Sequence, residues 1–166
     1  VNGGATNATF KCNEVLAAFG RLFIVDNATD SQTIYWSDLL VGNDFSGGSS
    51  GNIDVNKVWP DGYDEVVALA AHNNNLVVFG EHSIIVYEGA TSPASMTLAD
   101  TVSGVGCVDR NSVQSIGTDV LFMSNSGLRS LGRAIQEKAL PISDLSLNVK
   151  TEIIEVIGAE TEPLAS

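Results

Sequence analysis

Basic side chains are scarce in this 166-residue sequence, which has 8 Lys and Arg against 20 Asp and Glu and a formal net charge of −12. A surface with this charge repels phosphate, so nucleic acid is not expected to bind it. The apolar fraction of 44% and the charged fraction of 17% suffice for a packed core and exclude disorder caused by low hydrophobicity. The length predicts one domain, with two small domains as the alternative.

Long hydrophobic runs are also missing. The longest run, Val66 to Ala71, has six residues, whereas roughly 20 are needed to span a bilayer. No basic segment followed by an apolar one opens the chain, so no targeting signal is visible. The sequence predicts a soluble protein without a membrane partner, and the initial Val1 suggests a piece of a longer protein.

Cysteine is limited to Cys12 and Cys107, which excludes the disulfide framework of small secreted scaffolds. Two buried apolar thiols are the favoured interpretation, and a single bridge is the alternative. Neither cysteine has a histidine nearby in the sequence, so nothing predicts a thiol nucleophile.

Short segments with apolar residues at every second position fill most of the chain, separated by Gly, Asn and Ser. This period is typical of β-strands, and Gly, Asn and Asp favour the tight turns between them. The segments form three similar β-meanders, with units at about 13–50, 65–90 and 111–132. The predicted strands are Val15–Ala18, Leu22–Val25 and Thr33–Trp36; Val66–Ala71, Leu76–Phe79 and Ser83–Tyr87; and Ser112–Ile116, Val120–Met123 and Leu128–Leu131.

The spacing of the meanders resembles that of propeller blades. Leu22, Leu76 and Val120 occupy corresponding positions, and their separation is close to the roughly 40–50 residues of a blade. Asn52–Val58 and Ser95–Leu98 are candidates for a fourth, outer strand. The fold class is therefore all-β, an incomplete β-propeller of about three blades, since closed propellers typically have four to eight.

Two linkers and a C-terminal extension complete the predicted organisation. The segments Gly42–Gly51 and Ala90–Ser95 are rich in turn residues and predict flexible linkers. Residues 1–132 form the repeat domain and 133–166 the extension. Within the extension, apolar residues spaced about four apart predict a helix over 143–157, capped by Ser143, with a β-strand as the alternative.

The predicted core and turn residues are structural. Phe23, Phe79 and Phe122 recur in the three copies and indicate a repeated core position. The core is predicted to contain Leu22, Phe23, Leu76, Phe79, Val120 and Phe122, and the turns to depend on Gly20, Gly80, Gly117 and Gly127.

Three segments carry a resemblance to a known family. They are IYWSDLLVGNDFSGG (Ile34–Gly48), NLVVFGEHSIIVYEG (Asn75–Gly89) and GVGCVDRNSVQSIGTDVLFMSNSGLRSL (Gly104–Leu131). These segments resemble the propeller-like region of bacteriophage tail nozzle or hub proteins, also called packaged-DNA stabilisation proteins. In that family a Tyr-Trp-Ser-like strand end leads into a loop with an Asp-Phe step, here Asp44-Phe45. Family members are several times longer, so the blades that close the ring would lie outside this sequence.

The resemblance implies a structural virion component that is assembled in the host cytoplasm. It would form a homo-oligomeric ring below the portal and adaptor proteins, line the DNA conduit and help to retain the genome. The net charge agrees with a conduit that must not grip phosphate, although solubility is a simpler reason for it.

No catalytic motif lies in the structural context that it needs. Gly47-Gly48-Ser49-Ser50-Gly51 matches the Gly-x-Ser-x-Gly pattern, but it lies in a predicted flexible linker and not at a strand-to-helix elbow, and the sequence has no phosphate-binding loop. His72 and His82 have no Cys or second His at metal-ligand spacing and are expected to be turn residues. The sequence thus predicts no enzyme, no cofactor, and no catalytic, cofactor-binding or metal-ligating residue.

Two alternative functions stay open. A glycoside-processing enzyme needs two carboxylates across a cleft, and the loop acids could supply them. A carbohydrate-binding or adsorption module needs an exposed aromatic platform, for which Tyr35, Trp36 and Trp59 are candidates, although core packing is the favoured interpretation. The candidate loop acids are Asp38, Asp44, Asp61, Asp64 and Glu65.

Overall fold

The computed structural model describes residues 10–26 and 31–136, which are mostly β-strand. Short 3₁₀ turns lie at Pro93–Ser95 and Arg110–Ser112, and one short helix, α1 (Leu131–Gln136), follows the last described strand. The strands are β1 (Cys12–Ala18), β2 (Arg21–Asp26), β3 (Thr33–Trp36), β4 (Gly51–Asp54), β5 (Val66–His72), β6 (Asn75–Gly80), β7 (Ser83–Glu88), β8 (Thr97–Ser103), β9 (Gln114–Ser115), β10 (Val120–Ser124) and β11 (Gly127–Ser130).

The described strands form three antiparallel sheets in which neighbours in the chain are neighbours in space. The first sheet has the order β1-β2-β3-β4, the second β5-β6-β7-β8 and the third β11-β10-β9. The predicted all-β class and the meanders are therefore confirmed. The proposed outer strands also exist, as β4 and β8, with bounds shifted from those predicted.

The tight two-residue turns have the positive φ angles of hairpin turns, which Gly20, Asn73 and Asn74 adopt readily and Phe19 does not. Phe19 and Gly20, between β1 and β2, have φ of 53° and 69°, and Asn73 and Asn74, between β5 and β6, have φ of 48° and 63°. Two successive residues with positive φ match the twist of a two-residue hairpin, and Asn and Gly adopt this conformation most readily. These two-residue turns fix the strand register of the β1–β2 and β5–β6 hairpins.

The second sheet is packed on both faces. Alternate residues of β6 point to opposite sides, so that Leu76 and Val78 join one core cluster while Val77 and Phe79 join another. The first cluster includes Phe23 and other residues of the first sheet. The second includes Phe122 of the third sheet. The sheets are therefore stacked in chain order, with the second sheet in the middle.

The predicted core positions are buried, with one exception. Leu76, Phe79, Val120 and Phe122 have no exposed surface, and neither has Phe23. Leu22 is only partly buried, because it lies on the face of β2 opposite to Phe23, away from the second sheet. The recurring phenylalanines also differ in direction, since Phe79 and Phe122 face each other from neighbouring sheets.

The Phe79 and Phe122 rings join the second and third sheets. Their centroids are 4.9 Å apart and the rings are tilted by 52°. Such a pair contributes about 0.5–1.5 kcal/mol beyond the burial of its area.

The described sheets do not close into a ring. The first strand of the first sheet, β1, packs beside the first strand of the second sheet, β5, and β5 contacts β9. First strands on one side are a feature of propeller blades, but an open stack of sheets shares it. The propeller therefore stays a proposal.

Both predicted linkers lie within sheets and do not connect copies. Gly42–Gly51 is most of the loop from β3 to β4, and Ala90–Ser95 lies between β7 and β8. The first loop is held by hydrogen bonds, because the Asp44 Oδ1 atom accepts from the N–H groups of Ser46 and Gly47 at 2.9 and 3.1 Å. Turn-forming residues here build ordered connections inside a meander.

The C-terminal predictions fall largely outside the described residues. The helix predicted over 143–157 lies outside the described residues. The helix that is described, α1, begins directly after β11. The boundary proposed between residues 132 and 133 lies within α1, and the division into domains stays a prediction. No helix in the described segments has the length and apolar character needed to cross a membrane.

Candidate functional site

Three adjoining cavities surround the turn between β6 and β7, and Glu81 lines each of them. Two of these cavities have volumes of about 310 and 280 Å³, and a narrower one has about 70 Å³. We call this region the Glu81 groove. Its lining includes Asn13, Glu65, Glu81, His82, Cys107, Asp109, Arg110, Asn125 and Arg129.

Asp64 builds the turn on which the groove depends. Its side chain is almost completely buried. The Oδ1 atom accepts hydrogen bonds from the N–H groups of Glu65 and Glu81, each at 2.9 Å, and the Oδ2 atom accepts one from the N–H of His82 at 2.9 Å. The carboxylate thereby ties the start of β5 to the turn after β6.

Two glycines allow the close packing around this turn. A Cβ atom on Gly80 would lie 2.4 Å from the Asp64 Oδ2 atom, and one on Gly106 would lie 2.1 Å from the Glu81 carbonyl oxygen. The predicted importance of Gly80 thus has a different cause from that of Gly20, Gly117 and Gly127, which have positive φ. Gly80 is needed for space and not for a left-handed backbone.

Asp64, Glu81 and His82 could in principle bind a cation, because one ligand atom from each lies within 4.8 Å of the others. His82 Nδ1 is 3.6 Å from Asp64 Oδ1. A carboxylate has about four lone-pair positions, however, and three on Asp64 already accept backbone N–H groups. The buried Asp64 is best explained as a structural acceptor that fixes the β6–β7 turn, and Glu81 and His82 are exposed residues of that turn.

Arg110 connects the groove to the first sheet. Its guanidinium donates to the Asn13 carbonyl. The neighbouring Glu14 is on β1 beside β5, and burial raises the pKa of its carboxyl group against the lowering effects of the Leu69 N–H and Arg110. The contact thus brings a charged residue of the 104–112 segment to the edge of the first sheet.

Arg129 forms the floor of the narrow cavity. Its side chain is nearly buried, and its Nε atom donates to the hydroxyl groups of Ser124 and Ser126, each at 2.9 Å. These bonds fix the guanidinium within the β10–β11 hairpin. Arg129 therefore gives this end of the groove a positive charge.

The two cysteines are both free thiols, so the alternative of a bridge is wrong. Cys107 is buried as expected, and its Sγ atom donates to the Asp109 carbonyl at 3.2 Å. Burial raises the pKa of its thiol, which disfavours the reactive thiolate. Cys12 is exposed, contrary to the prediction of a buried thiol, because it lies at the start of an edge strand.

The acidic residues that were candidates for catalysis are mostly engaged in loop structure. The N–H and hydroxyl groups of Ser49 each donate to Asp38 Oδ1 at 2.8 Å and hold the pKa of Asp38 below its usual range. The N–H and hydroxyl groups of Ser46 do the same for the pKa of Asp44. Asp61 accepts a long hydrogen bond from Ser83. Of the five candidates, only Glu65 lines the Glu81 groove.

The aromatic candidates are packed, as favoured by the sequence. Trp36 and Trp59 are each 4% exposed, and their Nε1 atoms donate to the Ser49 carbonyl at 3.0 Å and to Gln32 Oε1 at 2.7 Å. Tyr35 packs against Phe10 with ring centroids 4.9 Å apart. The aromatic residue near the groove that is strongly exposed is Tyr63, at 67%, and its hydroxyl donates to Glu65 Oε1 at 2.9 Å.

The histidines lie where the sequence placed them, at turns. His72 ends β5 and shares a hydrogen bond with Asn73. His82 lies in the β6–β7 turn with its ring exposed. The sequence did not predict Glu81 and Asp109 as residues of one groove. They line the same cavity because the 104–107 segment packs on the β6–β7 turn, where the Cys107 N–H donates to the Gly80 carbonyl at 2.8 Å.

The groove can act as a hydrogen-bonding surface. The carboxylates of Glu65, Glu81 and Asp109 can accept hydrogen bonds, the guanidinium of Arg110 can donate them, and the His82 ring can do either.

No family model matches this chain, and a comparison with curated proteins finds no match.

Proposed function

We propose that the chain is a structural component of a bacteriophage tail, part of a nozzle or hub ring around the DNA conduit. The observation that carries the proposal is the stack of meanders, in which successive sheets pack face to face with their first strands on one side. Each added meander covers the face of the previous one, which is how blade-like repeats extend.

Ring formation needs further sheets or further chains. In the described residues the second sheet is covered on both faces, while the first and third sheets each meet one other sheet. We propose that neighbouring copies in a homo-oligomeric ring, together with portal-adaptor or other tail proteins, complete the assembly. Function then depends on backbone pairing and subunit contacts and needs no catalytic residue.

The net charge supports a conduit role. A wall that lets DNA slide must offer few cationic contacts, since each Lys or Arg that neutralises a phosphate strengthens binding. The chain carries 8 such residues against 20 acids, and Arg21 and Arg129 among them are nearly buried.

Particles from cells that carry the gene test the proposal directly. Mass spectrometry should find the chain in purified virions, and immunogold electron microscopy should place it at the tail. A mobility-shift assay with duplex DNA at low salt should show no binding. Absence from purified particles, or DNA retardation that salt abolishes, would overturn the proposal.

A carbohydrate-binding or glycoside-processing function is the second candidate, because the exposed Tyr63 lies beside Glu65 and the groove carries the carboxylates of Glu81 and Asp109. An exposed aromatic ring next to hydrogen-bonding carboxylates suits a sugar. A glycan array would reveal binding that Tyr63→Ala abolishes and Tyr35→Phe retains. Hydrolysis of a bound glycan that Glu81→Gln abolishes would favour the enzyme.

A further inference from the structure

Three consecutive apolar side chains project into solvent from the loop between β3 and β4. Leu40 is 81% exposed, Leu39 50% and Val41 42%. We call these residues the apolar tip. Other exposed apolar residues in the described chain, such as Leu98, stand singly. Single exposed hydrophobic residues are common on protein surfaces, whereas a contiguous group indicates an interaction site.

The backbone holds the apolar tip in a strained conformation. Leu40 has φ of 58°, which is unfavourable for a residue with a Cβ. Its N–H donates to the Gly20 carbonyl at 2.8 Å, and the Asp38 N–H donates to the Asp44 carbonyl at 2.7 Å. Strain of this kind persists only where the surroundings fix it.

The buried guanidinium of Arg21 holds the two ends of the β3–β4 loop. Arg21 is largely buried, and its guanidinium donates to the carbonyl groups of Ser37 and Ser49 at 2.7 and 3.2 Å. Ser49 in turn donates to Asp38. The chain thus uses a network of charged groups to present leucine side chains to water, an arrangement that stability alone does not explain.

A shallow groove of about 510 Å³ lies beside the tip, and Leu40 forms part of its rim. It contains no acidic side chain, and its one charged residue, Arg21, is engaged with Ser37 and Ser49. On a chain of net charge −12, a groove lined by no acidic side chain limits the repulsion between two copies that meet there. The groove is lined by Ala17, Ala18, Phe19, Gly20, Arg21, Leu22, Leu40 and Gly42.

We propose that the apolar tip is a self-association site. Leu40 of one copy enters the groove beside Phe19 and Leu22 of a second copy, and the second copy returns the contact about a two-fold axis. A projecting side chain and a receiving groove on one patch make that patch self-complementary, as a two-fold interface requires. The contact does not depend on the proposed tail function.

Sedimentation equilibrium from micromolar to millimolar concentration tests the proposal. The wild-type chain should form dimers, and Leu40→Ser should weaken dimerisation at least about a hundredfold, because two leucine side chains per dimer return to water. Leu98→Ser changes another exposed leucine, on β8 and 49% exposed; it is the control and should dimerise like wild type. Circular dichroism should show all variants folded.

Two further measurements separate this contact from others. Ala17→Glu places a carboxylate in the groove and should also abolish the dimer. Added salt should tighten the wild-type dimer, because it screens the repulsion between acidic copies. A monomeric wild type, a Leu40→Ser dimer of unchanged affinity, or dissociation by salt would each overturn the proposal.

Discussion

Two connections in this protein are held in the same way but present different side chains. In the turn between β6 and β7, Asp64 accepts backbone N–H groups, and Glu81 and His82 face solvent. In the loop between β3 and β4, Asp38 accepts the N–H groups of Leu39 and Ser49, each at 2.8 Å, and the apolar tip faces solvent. The same device therefore produces a polar surface in one place and an apolar surface in the other.

The two connections differ in the burial of the aspartate. Asp64 is 3% exposed and lies against Trp59 and Gly80 at the edge of the core, whereas Asp38 is partly exposed. Water can replace the hydrogen bonds of an exposed carboxylate but not those of a buried one. We therefore expect Asp64 to matter for global stability and Asp38 for the local shape of the apolar tip.

Replacement of Asp64 should have the largest effect. Asp64→Ala leaves three N–H groups without their acceptor, and each costs about 1 kcal/mol or more, so the free energy of unfolding should fall by about 3 kcal/mol. The thermal midpoint, measured by circular dichroism, should drop by roughly 10 °C. Asp38→Ala is the matched variant and should shift it much less. Equal shifts would contradict the difference assigned to burial.

A matched pair of glycine substitutions tests the same comparison without removing a carboxylate. A Cβ atom on Gly80 would lie 2.4 Å from Asp64 Oδ2, and one on Gly48 would lie 2.1 Å from Asp38 Oδ2. Gly80→Ala must displace a buried group and should cost about 2 kcal/mol. Gly48 has φ of 59°, so Gly48→Ala should cost about 1 kcal/mol through backbone strain while Asp38 moves into water.

Urea unfolding of both glycine variants measures these costs. If Gly48→Ala is the more damaging of the two, the β3–β4 loop is a larger part of the stable structure than its exposure indicates. The two variants should have equal slopes of free energy against urea concentration, because both unfold the same sheets.

The sheets were easier to predict from the sequence than the site. Short apolar runs and Asn or Gly turns are local signals, so β5, β6 and β7 follow from the sequence of residues 66–88 alone. Leu22 was assigned to the core because it corresponds to Leu76 and Val120 in the repeat, but which face of β2 is covered depends on the position of the second sheet. The Glu81 groove requires Gly106 to pack on the β6–β7 turn, and no sequence pattern encodes that contact.

The apolar tip was also missed for a physical reason. Leu39, Leu40 and Val41 lie between the predicted strand Thr33–Trp36 and the predicted linker, and apolar character normally indicates burial. Two hydrogen bonds that hold the loop join residues far apart in the chain: Leu40 N–H donates to the Gly20 carbonyl, and Arg21 donates to the Ser37 carbonyl.

Acidic pH should weaken the hydrogen bonds that a third structural aspartate, Asp119, accepts. Burial would raise the pKa of Asp119, but the Ser130 hydroxyl and the N–H groups of Gly132 and Val120 outweigh it and hold the pKa below its usual value of 3.8. The unfolded chain therefore binds the proton more readily, and stability declines as pH falls below about 4. Urea unfolding between pH 5 and pH 3 measures this decline, and Asp119→Asn should reduce its slope. An unchanged slope would show that Asp119 contributes nothing to the acid sensitivity.

Relief of strain at Leu40 should have the smallest effect on stability, and its sign is opposite to the others. Leu40→Gly accepts φ of 58° without strain and loses little buried apolar surface, because Leu40 is 81% exposed. Unfolding should therefore require about 0.5–1 kcal/mol more free energy. Leu39→Gly, at a position with ordinary φ, should give no gain, and urea titration compares the two. If Leu40→Gly stabilises the monomer yet does not dimerise, the strain at residue 40 serves association and not folding. A destabilised Leu40→Gly variant would instead mean that the leucine side chain contributes to the fold despite its exposure.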